Sequence, residues 1–154
     1  THSTSSAASD VYKRQHHSQF IGELVSEGKI SPKAWLDEDV TYHDACYLGR
    51  HNDEYDAPRD VIQSIMKNGN LVEMEKSREE SFCCGAGGGN MWYEIKTGER
   101  INHNRFKQAA DTGAKTVATS CNFCNIMMED GMKVTGNDDK MKVMDIAELV
   151  SKSL

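Results

Sequence analysis

The chain has 154 residues, 38% of them hydrophobic, with a formal net charge of −6; that suits one domain with one moderate core and is too short for a self-sufficient oxidoreductase with several cofactors. The acidic balance argues against a nucleic-acid partner or an anionic membrane surface. The longest apolar runs are a few residues, against the roughly 20 that a membrane helix requires, and no charged-then-apolar leader opens the chain, so a cytoplasmic location is expected, with any link to the cytoplasmic face of a membrane made by a partner or by further sequence.

The opening segment, residues 1–15 (THSTSSAASDVYKRQ), is rich in Ser, Thr and Ala and has no apolar period, so it is expected to be disordered. Its SSAASDVYKRQ portion resembles translated adapter or read-through sequence. It is set aside from the fold, which leaves residues 16–154 as the domain and implies a native chain that extends further at its N-terminus. Phe20, Ile21, Leu24 and Val25 fall on one face of a short helix ended by Gly28. Residues 40–44 form a β-like run that stops short of Cys46. A helix over 58–67 follows, with Asp56 near its start, Gly69 past its end, and Val61, Ile62, Ile65 and Met66 on its inner face.

A second short strand is predicted over 71–74, then a polar stretch and a loop over 82–90. Helical spacing of Ile101, Arg105 or Phe106, and Ala109 predicts a helix over 100–112 stopped by Gly113. A third strand over 115–119 ends just before Cys121, and a helix occupies 125–132. The chain closes with a strand at 142–144 and a helix at 145–152, where Asp145 and Glu148 have the spacing of a capping box. Strands alternating with helices of about ten residues predict an α/β fold: a small, mostly parallel sheet flanked by helices. The cysteine loops then gather at the C-terminal edge of the strands, where open α/β sheets hold ligands.

The five cysteines are Cys46, Cys83, Cys84, Cys121 and Cys124. An odd, clustered set fits a secreted disulfide framework poorly and points to a metal or redox site. Thirty-six residues separate Cys46 from Cys83, and thirty-six separate Cys84 from Cys121, one β-α-β repeat each. Soft thiolates suit iron-sulfur clusters and zinc. A closed tetrahedral zinc site takes four ligands, whereas a multi-iron cluster has room for a fifth as a terminal or bridging sulfur. A structural zinc module that serves only to dock a partner chain, and a metal-free dithiol switch at Cys121 and Cys124, stay open as rivals.

The segments YHDACYLGR, SFCCGAGGGNMW and TSCNFCNIMMEDG, with FIGELVSEGKI and VMDIAELV outside them, resemble the C-terminal CCG, or cysteine-rich, domain of the heterodisulfide reductase-like Fe-S oxidoreductase superfamily. This superfamily includes iron-sulfur subunits of glycolate, lactate and anaerobic glycerol-3-phosphate dehydrogenases, and membrane-bound iron-sulfur oxidoreductases that work with electron-transfer flavoprotein. LGRHNDEYDAPR and FCCGAGGGNMW look nearest to the last of these. The resemblance implies a [4Fe-4S] centre, non-cubane in the heterodisulfide reductase branch, ligated by Cys46, Cys83, Cys84, Cys121 and Cys124. It implies electron transfer within an Fe-S oxidoreductase, between a flavoprotein or organic-acid dehydrogenase and quinone, with reduction of a CoB-CoM type heterodisulfide as the alternative. It also implies a C-terminal fragment whose partners are an upstream CCG, ferredoxin-like or membrane region and a separate flavoprotein. Ala45 stands where the family more usually has Pro.

Gly85, Gly87 and Gly88 are expected to bring backbone N–H groups up to the cluster, where hydrogen bonds to sulfur raise the reduction potential. The rival reading, a nucleotide phosphate loop, lacks the third glycine. His43, Asp44, Arg50 and His51 flank the first cysteine as possible proton or charge partners, with His43 expected as a hydrogen-bonded structural residue. Trp92 and Tyr93 are expected in the core by default, as are Met127, Met128 and Met132. None of these is assigned a catalytic role.

Overall fold

The computed structural model describes residues 15–93 and 97–154; the disorder expected for 1–15 concerns residues almost wholly outside that range. Helix α1 spans His17–Ser26, and its N-cap His16 forms a capping box with Gln19, which satisfies backbone N–H groups that a helix start leaves open. Strand β1 (Val40–Tyr42) leads through a short turn to α2 (Gly49–Asn52) and α3 (Asp56–Ile65). Two 3₁₀ turns, Arg78–Glu80 and Gly87–Trp92, bracket the vicinal cysteines. Then come α4 (Ile101–Asp111), β2 (Thr116–Thr119), α5 (Asn122–Val134), β3 (Lys142–Asp145) and α6 (Ile146–Ser151). The predicted capping box is present: Asp145 caps α6, with Glu148 bonding back to it.

The sheet is three-stranded and wholly parallel in the order β1-β2-β3, with Val40 beside Thr116, Tyr42 beside Ala118, and Ala118 beside Met144. Successive side chains point to opposite faces, and each face has its own core. Val40, Tyr42 and Ala118 pack with Leu36, Ile62, Ile65, Ile146 and Leu149, under α1, α3 and α6. Val117 and Val143 face the other way, onto Phe106, Ala109, Met128, Met132 and Met74, under α4 and α5. The α/β class and the parallel sheet are those expected from the sequence.

The strand predicted at 71–74 is reduced to a single parallel bridge between Val40 and Leu71. Its backbone bonds end at Val72, whose N–H reaches the Val40 carbonyl at 2.8 Å. Beyond that point Glu73 is drawn to Arg59 at 2.6 Å and Met74 plugs the second core, so two side-chain anchors carry the chain off the sheet edge.

Helices α4 and α5 approach each other closely at Gly131. A Cβ there would lie 2.8 Å from the Asn102 carbonyl oxygen and 2.8 Å from Phe106 Cβ. Gly131→Val is therefore expected to lower stability by about 1–3 kcal/mol, seen as a drop in the urea unfolding midpoint with unchanged slope.

Candidate metal centre

Three segments supply the five thiols. β1 ends at Tyr42, and the following turn carries Cys46 into α2, with the Ala45 carbonyl accepting from the Leu48 and Gly49 N–H groups at 3.1 and 2.9 Å. Gly49 permits that turn, because a Cβ would meet the Tyr55 ring at 2.5 Å. β2 ends at Thr119, Cys121 is the N-cap of α5, and Cys124 lies in its first turn. The vicinal pair is tied to both: Arg50 donates to the Ser81 carbonyl, and Arg105 donates to Ser81 Oγ at 3.1 Å. Directly after the pair, Gly85 adopts φ +90°, where a Cβ would press on Ile101 at 3.1 Å; its N–H donates to Cys83 Sγ at 3.3 Å.

All five cysteines are free, with Cys84 and Cys124 buried and the other three half-buried. Cys124 Sγ donates to Cys84 Sγ at 3.4 Å. The Cys83 thiol beside Cys84 and the Cys121 thiol beside Cys124 extend this contact into a chain of neighbouring sulfurs that shift one another's ionisation. Hydrogen bonds from Cys124 and Cys83 hold the Cys84 thiol far below its ordinary range, against burial. Cys83, which donates to Cys84 and is partly buried, is pushed up. Cys124, which donates to Cys121 and Cys84, is pushed up as well. Cys121 is lowered to about 6 by the Cys124 thiol, helped by the N–H groups of Cys124 and Phe123 at the start of α5, where the helix dipole favours a thiolate.

Cys46 joins this chain across space. It lines a tight hollow with Cys83, Cys84 and Cys124 and, on the other side, a cavity of about 620 Å³ with Cys84, Cys121 and Cys124. Gly87 lines the larger cavity, while Gly88 lies outside its wall with φ +65°. Ala86, Met91 and Phe123 supply apolar lining, and Met127 packs beneath Cys84 and Cys124.

The flanking residues divide. His43 is buried and accepts at Nδ1 from Arg105 Nε at 2.9 Å; burial lowers its pKa, opposed by its hydrogen bond with Cys84. His51 stacks on Tyr47 at the surface with ring centroids 4.7 Å apart. Trp92 and Tyr93, expected in the core, are 78% and 68% exposed, since the glycine-bent 3₁₀ turn delivers them to the rim instead of into either sheet-face core. Arg105 is fully buried and is lowered to about 10 by that burial; sequence reasoning placed it only as one of two alternatives for a helix face, and a polar residue inside an apolar period was the available signal.

The family model of the CCG cysteine-rich domain matches residues 40–129, more than half of the chain and all five cysteines. The chain belongs to this family. Among its relatives, the probable iron-sulfur-binding oxidoreductase FadF of Bacillus subtilis is 45% identical over 90% of this chain. The EtfAB:quinone oxidoreductase of Syntrophomonas wolfei is 41% identical over 93% of it. One component of the dihydromethanophenazine:CoB-CoM heterodisulfide reductase of Methanosarcina barkeri is 36% identical over 90% of it. The chain spans about a fifth of the length of the first two and a third of the third. No described helix is long and apolar enough to cross a membrane.

In this CCG domain a buried ion pair ties the cysteine segments together. Asp44 accepts from Arg59 at 2.7 and 3.1 Å and from the Arg78 backbone N–H at 2.8 Å, so one carboxylate joins the segment of Cys46 to the turn that leads to Cys83. Arg59 also bonds Glu73 and lies over the Tyr42 ring at 5.2 Å. Asp44→Ala leaves a buried guanidinium short of one partner, and a loss of about 3 kcal/mol is expected, measured by denaturant unfolding. Asp44→Ala is also expected to weaken metal retention under chelator challenge, through loosening of both loops.

Proposed function

We propose that Cys46, Cys83, Cys84, Cys121 and Cys124 hold a [4Fe-4S] cluster, in a non-cubane arrangement that uses the fifth thiolate. On this reading the chain is the electron-transfer module of a larger oxidoreductase. The observation that carries the reading is the convergence of free thiols from three segments: Cys46, Cys84, Cys121 and Cys124 line one cavity of about 620 Å³, and Cys83 lines the adjoining hollow with Cys46, Cys84 and Cys124. The donor set fits the group: it is all sulfur at its centre, which suits soft metal clusters, and the space beside it far exceeds that around a four-coordinate zinc ion.

The cluster would supply an electron donor and acceptor at this edge of the sheet. The chain's own part is ligation and environment. The start of α5 favours the anionic thiolates of Cys121 and Cys124, Met127 and Met91 supply apolar surface beside the sulfurs, and the Gly85 backbone N–H donates to Cys83 Sγ while Gly87 lines the cavity wall. On this reading electrons pass from a flavoprotein or organic-acid dehydrogenase to quinone, at the cytoplasmic face of a membrane and together with upstream domains or partner proteins; the names of two relatives, an iron-sulfur-binding oxidoreductase and an EtfAB:quinone oxidoreductase, support the iron-sulfur and quinone parts of that route. A second reading, reduction of a heterodisulfide at the same centre, is favoured by the open cavity against Cys84 and Cys124 and by the heterodisulfide reductase relative.

Anaerobic reconstitution of the chain is expected to yield a brown protein with about four irons and four acid-labile sulfides. Cys84→Ser and Cys124→Ser are expected to abolish retention of the cluster in iron and sulfide analysis. One zinc per chain with no sulfide would sink the proposal in favour of a docking module.

A further inference from the structure

Arg105 is a cation with 0% exposure, and none of its hydrogen-bond partners among the described residues is an anion. Its Nε donates to His43 Nδ1 at 2.9 Å, Nη1 to the Lys76 carbonyl at 2.9 Å and to Gln108 Oε1 at 2.8 Å, and Nη2 to Ser81 Oγ at 3.1 Å. The nearby buried carboxylate, Asp44, is engaged by Arg59 instead. A buried charge is costly unless something compensates it, and what lies past His43 is the thiol pair Cys84 and Cys124. The ligating atoms of His43, Cys84 and Cys124 all lie within 4.8 Å of one another.

The guanidinium also decides the state of the imidazole. Arginine has only donors, so His43 Nδ1 must accept, and an imidazole that accepts at Nδ1 is neutral and carries its proton on Nε2. With Nδ1 occupied by Arg105, the N–H that remains to His43 is the one available to the sulfur side. Ligation of a metal through Nε2 would require that proton to leave or to move to Nδ1, against the Arg105 N–H.

We propose that Arg105 and His43 form a positioning pair for the metal centre, in which the guanidinium locks His43 with its proton on Nε2 and His43 donates that N–H to Cys84 Sγ, as a hydrogen-bond donor to a ligand sulfur and not as a metal ligand. The proposal rests on the cluster reading above. Its consequence is electrostatic. A hydrogen bond to a ligand sulfur, backed by a fixed positive charge in a medium of low dielectric, favours the more negative reduced state of a thiolate-bound centre.

The test compares the full chain with His43→Leu, His43→Gln and Arg105→Lys, each anaerobically reconstituted, and reads iron content and midpoint potential by EPR-monitored titration. The imidazole ¹⁵N shifts of His43 are recorded on the metal-free chain. All variants are expected to keep the iron content of the parent. His43→Leu is expected to lower the equilibrium constant for reduction about tenfold, a shift of about 59 mV for a one-electron couple. His43→Gln, whose side-chain amide restores an N–H donor, is expected to recover most of that shift, and Arg105→Lys, which keeps the charge and loses the fork, to fall between. The ¹⁵N shifts are expected to show Nε2 protonated and Nδ1 bare. Equal potentials in the parent and His43→Leu, loss of iron in both His43 variants, or a proton on Nδ1 would each overturn the pair. A parent chain that takes up no iron or sulfide would end the cluster reading alone, and the imidazole shifts would then decide on the Arg105–His43 pair by themselves.

Discussion

Parallel pairing of β1 with β2 is the constraint on which the site depends. Strands that run the same way end at the same edge, so the chain leaves the sheet after Tyr42 and after Thr119 on one side of the molecule. The His43 N–H extends the pairing by one bond to the Ala118 carbonyl at 2.9 Å, which carries the register up to the first cysteine turn. An antiparallel β2 would have put Cys121 at the far end of the sheet. The vicinal cysteines have no strand of their own to place them, and their position is set by side chains: Arg50 and Arg105 on Ser81, and Asp44 on the Arg78 backbone.

Two buried arginines accordingly play different parts. Arg59 is neutralised by Asp44 and Glu73 and works as a rivet between β1, α3 and the bridge segment. Arg105 has neutral partners only among those described and leaves its charge directed at the thiols. Cys84 lies on that side, where hydrogen bonds from Cys124 and Cys83, and a smaller one from His43, lower its thiol pKa.

Much of this was legible in the sequence. Periodicity located α1, α3, α4 and α5, because each carries apolar residues that pack inward, and the Asp145 and Glu148 spacing located α6 by its cap; the 3₁₀ stretch Gly87–Trp92 lies largely in a run read as a loop. The cysteine spacing located the segments that meet. What stayed illegible was whatever depends on contacts distant along the chain. The run at 71–74 has strand-like residues, yet Glu73 and Met74 answer to partners on α3 and α4. Trp92 and Tyr93 have core-like side chains, yet the positive φ of Gly88 and Gly89 steers them outward. Arg105 shares a helical period with Ile101 and Ala109, yet that spacing could not choose between it and Phe106, and its burial follows from the polar atoms of His43, Lys76, Gln108 and Ser81 converging on it.

The two intervals of thirty-six residues between cysteine groups carry a thermodynamic meaning of their own. Anything that grips all three groups staples the polymer into two closed loops, and the chain entropy removed from the unfolded ensemble is roughly 3–4 kcal/mol for each loop of that size. Loading such a centre and completing the fold are then one linked equilibrium, and the melting temperature of the domain becomes a gauge of how fully its sulfurs are occupied.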